Sequence, residues 1–338
     1  PLGAMTKFNW PKMGVSNVLQ TGGCHRQILA AGDGSPPLLC ALGHSGRLRR
    51  AFGLLALVLL VPLARAQWQN VTYTLRGGWN SIYLHGDASH ATLEQLFVSN
   101  PEVISVWRWN PNPSQTQFST STLVPSSGTP EWSTWKRGAT GNTLLSLSGP
   151  SAYMVECSGT AATTTSVVIP QKAQPPRLAW VRNGANLLGF PAATGTSAPT
   201  LAAYFASFPL AIATSSKIYK YAGGPLGTSN PVQIFSTSSE TLDRTQAYWF
   251  EAPVVGNFYG PLDVSPSNLD GLIYGRNGSL ITVRLRNRTT ASVTVTATPV
   301  ASAAAPTGQE QITGQVPLTY RTFNSTTAAY DFTAVTAS

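Results

Sequence analysis

The sequence predicts a mainly β protein: two tandem homologous β-sheet domains, each with one short helix, followed by a partial β-sandwich. Three observations carry that prediction. Only 10% of the 338 residues are charged, while Gly (30) and Pro (25) are abundant, a composition that excludes a coiled coil, a helical bundle and a wholly disordered chain. Blocks of residues between 78 and 156 recur in the same order between 184 and 251. The C-terminal part alternates polar and apolar residues with the two-residue period of a strand.

The leader comes first. Residues 1–46 show no sustained period and contain breakers such as Gly32-Asp33-Gly34 and Pro36-Pro37, so they form an upstream segment outside the fold argument. Pro1-Leu2-Gly3 looks like the remnant of a tag-cleavage site, and no Met opens the chain. In residues 47–66, Arg47-Leu48-Arg49-Arg50 precedes an uncharged apolar run over Ala51–Ala64, and Ala64-Arg65-Ala66 follows. This is the order of a secretory signal peptide cut before Gln67, and the run is shorter than the ~20 apolar residues a membrane span needs. The leader holds Lys7, Lys12, Arg26, Arg47, Arg49, Arg50 and Arg65 against Asp33 alone, which leaves 15 basic and 12 acidic residues after Ala66. The net charge of +9 therefore points to export, of a Gram-negative type, to the cell surface or medium. It does not point to nucleic acid, and no transmembrane span is expected after signal cleavage. Cys24 and Cys40 also lie in the leader, so Cys157 stands alone as a small buried residue at a strand end.

The first repeat domain (67–172) and the second (173–265) share four blocks. Gly78-Trp79-Asn80-Ser81-Ile82-Tyr83-Leu84 matches Gly184-Ala185-Asn186-Leu187-Leu188-Gly189-Phe190 as a turn entering a strand. Thr92-Leu93-Glu94-Gln95-Leu96-Phe97 matches Thr200-Leu201-Ala202-Ala203-Tyr204-Phe205 as a short helix with a threonine N-cap. Val106-Trp107-Arg108-Trp109 matches Ile218-Tyr219-Lys220-Tyr221, a strand with its aromatics on one face. Ala152-Tyr153-Met154-Val155-Glu156 matches Ala247-Tyr248-Trp249-Phe250-Glu251, a strand that ends in glutamate. In the third region (266–338), Ser279–Arg286 and Ala291–Ala297 read as antiparallel strands around an Asn287–Thr290 turn, the opening of an immunoglobulin-like module, with further domains expected downstream of Ser338.

The Gly-Trp-Asn opening, the Val-Trp-x-Trp strand and the Ala-Tyr-x-apolar-Glu strand resemble tandem repeats near the N-terminus of large secreted bacterial multidomain surface proteins. The resemblance covers about residues 68–265, and Ala185 departs from it by replacing the tryptophan. It implies an exported surface or matrix protein and no settled activity.

Residues with chemistry to offer are few. The His85-Gly86-Asp87-Ala88-Ser89-His90 loop brings three weak metal-ligand candidates, His85, Asp87 and His90, into six residues, and the second copy has none there. Glu156 and Glu251 sit at equivalent places in different copies, too far apart for a glycosidase pair, and each is expected to bond within its own copy, with Arg108 and Lys220 as partners. Trp107, Trp109, Tyr219 and Tyr221 keep their character in both copies and read as core. Trp132 and Trp135, beside Lys136 and Arg137, read as an exposed platform, and with Trp79 and Trp249 they are the candidate glycan-binding residues. The sequence thus predicts an exported, non-catalytic structural or binding module without a cofactor, adhesive or glycan-binding, with polysaccharide, cell-surface glycan or other surface proteins as partners. The alternative is the N-terminal accessory region of a secreted carbohydrate-active enzyme whose catalytic domain lies downstream.

Overall fold

A computed structural model describes residues 68–110, 125, 126, 128, 130–176, 180, 181, 184–213, 217–251, 258, 260–267, 282–296, 300–311 and 319–334. Residues 1–67, with the expected signal peptide, lie outside them. The protein is mainly β.

The first copy contains β1 (Trp68–Arg76), β2 (Gly78–Leu84), β3 (Gly86–Asp87), helix α1 (Leu93–Leu96), β4 (Val103–Trp109), β5 (Trp132–Lys136), β6 (Ser151–Cys157) and β7 (Thr164–Ala173). The second contains β8 (Ala185–Leu188), α2 (Leu201–Tyr204), β9 (Lys217–Lys220), β10 (Val232–Gln233) and β11 (Tyr248–Glu251). The strand order is β2-β6-β4-β5 in one copy and β8-β11-β9-β10 in the other, so equivalent strands occupy equivalent places. The register repeats as well: Asn80 faces Val155 and Ile82 faces Tyr153, as Asn186 faces Phe250 and Leu188 faces Tyr248.

Three local devices explain why these blocks survive in both copies. Asn80 Oδ1 accepts from Arg76 N–H and its amide donates to the carbonyls of Arg76, Gly78 and Val155. Asn186 does the same with Val181, Gly184 and Phe250, so one buried amide closes each turn and ties it to the neighbouring strand. The Tyr153 hydroxyl accepts from Ser148 N–H, and that of Tyr248 from Asp243 N–H, each five residues upstream. Thr92 and Thr200 cap helices only four residues long, which last because Leu93 and Leu201 are buried. Gln95 bonds back to Thr92 N–H and completes a capping box in the first copy; Ala203 cannot in the second.

The first sheet is covered on both faces. Ile82, Val106, Trp135, Tyr153 and Val155 pack with Tyr73, Leu75, Val167 and Ile169 from a second sheet of order β1-β7-β3. Tyr83, Trp107, Trp109, Trp132 and Met154, on the opposite face, belong to one core with Phe190, Tyr204, Tyr248, Trp249 and Phe250 of the second copy. The copies keep separate sheets and share that core. Backbone bonds join them too. The outer edge of β2 is filled by Trp79 N–H to Gly224 O (3.0 Å), Ser81 N–H to Tyr221 O (3.1 Å) and Tyr83 N–H to Thr245 O (2.8 Å). An edge that would otherwise template a foreign strand is closed by the chain's own second copy.

The third region differs from expectation. Residues 291–296 form no strand, and β13 (Val283–Asn287) pairs instead with β12 (Leu262–Pro266), which crosses the expected boundary at 265. The Asn287 turn does form, with Thr289 N–H donating to Asn287 Oδ1, but Arg288 is held by Asp263 (2.8 Å) and Arg288 N–H by Pro261 O, so this end of the strand is fastened to the upstream segment. A separate ribbon pairs β14 (Thr319–Asn324) with β15 (Ala329–Ala334). Residues 302–310 lie along the start of β1: Trp68 N–H donates to Ser302 Oγ, Ala303 N–H to Trp68 O, and the Trp68 indole to Glu310 O.

Candidate functional site

The seam between the two copies gathers most of the side chains that the sequence singled out. Trp109 is the pivot. Its ring lies 5.2 Å from Trp132 and 5.5 Å from Trp249, both edge-on, and Trp107 meets Trp132 at 6.2 Å and Trp79 at 6.0 Å. The alternation of β4 places Trp107 and Trp109 on the face turned to the second copy, and β5 and β11 bring Trp132 and Trp249 to the same place. Trp109 Nε1 donates to Ala185 O of β8, and Lys136 lies over the Trp107 ring at 5.2 Å. The indole N–H of Trp249 has no partner among the described residues.

Three of the four candidate glycan-binding residues, Trp79, Trp132 and Trp249, therefore share one cluster, but not as an open platform. Trp132 is 7% exposed and Trp249 3%, while Trp79 is half-buried. Trp135 is on the other face of the sheet, fully buried against Phe97, with its indole donating to Glu94 and Arg137 stacked on it at 5.4 Å. That indole, more than any other group, holds the Glu94 carboxyl below its usual range. The expectation that Trp132 and Trp135 stand exposed is corrected for a simple reason. They alternate with a spacing of three and so point to opposite faces of β5, and both faces of this sheet are covered.

Beside the aromatic seam is a polar one. Tyr83 of β2 packs on Gly189, its own counterpart in the repeat, so closely that a Cβ at 189 would overlap the Tyr83 ring. The Tyr73 hydroxyl donates to Tyr83 O and accepts from Gln171, and burial pushes its pKa up. Arg244, from the second copy, is half-buried near Tyr73 and Tyr204. Ser81 Oγ donates to Ala247 O and accepts from Tyr221 N–H, and Asn230 donates to the carbonyls of Gly223, Gly224 and Trp79.

The metal candidates separate. His85 is buried, its Nε2 is bonded to Arg244 O, and burial lowers its pKa to about 3. Asp87 accepts from Ser89 Oγ, and His90 lies edge-on to Trp68 at 4.9 Å. Among the described residues no three His, Cys, Asp or Glu side chains converge on one point. The glutamates bond within their own copies, but with other partners than Arg108 and Lys220: Glu156 accepts from Ser105 Oγ, and Glu251 pairs with Lys217 at 3.5 Å. Ser105 and Lys217 are the residues directly opposite them on the neighbouring strand, whereas Lys220 is opposite Tyr248. Arg108 instead donates to Ser148 and Lys220 pairs with Glu240. Cys157 is buried at the end of β6, its thiol pushed up to about 12 by burial and by Glu102 and Glu156.

In comparison with known proteins, the chain matches no family model, no curated protein and no solved structure. Among the described residues, no helix is long and apolar enough to cross a membrane.

Proposed function

We propose that this chain is a non-catalytic structural module of an exported surface or extracellular protein, in which the two repeats act as one fused unit and the third region begins an immunoglobulin-like module. The observation that carries the reading is what joins the two copies. The tryptophans of β4, β5 and β11, the Gly189 notch, Ser81 and Asn230 all serve the junction between copies. Such a junction suits a rigid, protease-resistant spacer, since it closes the β2 edge and places the aromatic residues inside.

Two measurements test this. Residues 47–66 placed before a reporter that matures only outside the cytoplasm should carry it across; a reporter held inside would refute export. Thermal unfolding of the full chain, followed by near-ultraviolet circular dichroism of the tryptophan seam and by far-ultraviolet strand signal, should show coincident transitions for the repeats. Loss of the seam signal well before the strand signal would refute the fused spacer.

A further inference from the structure

We propose that the aromatic face of the β14–β15 ribbon is a platform for a polysaccharide strand. Its register sets Arg321 opposite Phe332 and Phe323 opposite Tyr330. With the two-residue period of a strand these four residues take positions on one face, while Tyr320, Thr322, Asn324, Ala329, Asp331 and Thr333 take those on the other. Phe323 is 59% exposed, Tyr330 52% and Phe332 57%. A ribbon of two strands is marginal alone, and three exposed rings on one face gain from a cover.

The size and charge of the face select the occupant. Six residues per strand at ~3.4 Å each, and two strands across, give a strip of about 200 Å². A stable protein interface needs about 800 Å² on each partner, so a second copy or another folded protein is poorly served by it. A polysaccharide strand has the right width, and the apolar C–H face of a sugar ring suits the electron-rich face of an aromatic ring. The one cation on this face, Arg321, is held over Tyr330 at 4.2 Å, and Asn324 and Asp331 bond to each other at the rim. Nothing here forms the basic stripe that a nucleic acid or an anionic membrane surface would need.

Export, as proposed above, would bring the chain to such polymers, but binding by purified protein does not depend on it, so each idea fails separately. The test is retention of the full chain on insoluble cellulose, chitin and peptidoglycan, compared with Phe323→Ala, Phe332→Ala and the double variant. The expected result is retention on at least one of the three, weaker by about tenfold for each ring removed, with the melting temperature lowered by no more than about 6 °C, the loss of the Phe323–Tyr330 ring contact. No retention on any of them, or undiminished retention of the double variant, would overturn the proposal. So would a larger fall in melting temperature, which would make this face part of a core, or a dimer that the double variant dissolves.

Discussion

Gly189→Ala is the sharpest test of how the two copies fit. Gly189 has no left-handed backbone angle, so alanine is allowed there conformationally, and the nearest obstacle is the Tyr83 side chain. A Cβ would overlap Tyr83 Cβ and Cγ and come within 2.7 Å of Cδ1, the root of the side chain rather than its mobile end. Tyr83 is 2% exposed and its ring lies 4.8 Å from His85, so it has little room to retreat. Overpacking of this kind costs about 1–3 kcal/mol. In a folded unit of this size 1 kcal/mol moves the melting temperature by about 2–4 °C, so a loss of 2 kcal/mol predicts a fall of about 4–8 °C by calorimetry. Tyr83→Ala removes the ring and costs about 3–5 kcal/mol by itself. If the two residues fill one space, the double variant should be more stable than the sum of the two losses by about 1 kcal/mol or more. An unchanged melting temperature for Gly189→Ala, or strict additivity in the double variant, would refute the complementary pair.

Two more predictions follow from the buried polar groups. Asn80→Ala and Asn186→Ala each remove an amide that serves several backbone groups, so each should lower stability by about 2–3 kcal/mol, read as a lower urea midpoint with an unchanged slope. For His85, the native pKa of about 3 lies below the ordinary histidine value of 6.5, so between those pH values the unfolded chain binds a proton and the native one does not. Stability contributed by neutral His85 is thus complete above pH 6.5 and is lost on acidification, by about 1.4 kcal/mol per pH unit. His85→Gln keeps a donor for Arg244 O without titrating, and should flatten that part of the stability profile; an unaltered profile would disprove the assignment.

Much of the fold was legible because it rests on short-range chemistry. The threonine caps, the Asn80 and Asn186 turns, and the alternation of β4 and β9 each concern a few neighbouring residues. Repetition in a second copy separated them from chance. The candidate site was legible only in part. Trp79, Trp132 and Trp249 do meet, but the solvent exposure expected of Trp132 and Trp135 assumed a sheet with one free face. On β15 Tyr330 and Phe332 alternate as plainly, but alternation alone does not distinguish a face left in solvent from one turned to a core.

By itself the sequence determined a β-rich chain, the existence and order of two homologous sheets, and the local bonds that shape them, since strand period, capping and turn formation depend on nearest neighbours. Only the tertiary structure decided that the copies share one core, that Tyr83 faces Gly189, that β13 pairs upstream with β12, and which aromatic rings remain in solvent. Those outcomes depend on which surface covers which, and apolar residues bind whatever apolar surface the chain's path brings to them, because the hydrophobic effect has no direction of its own.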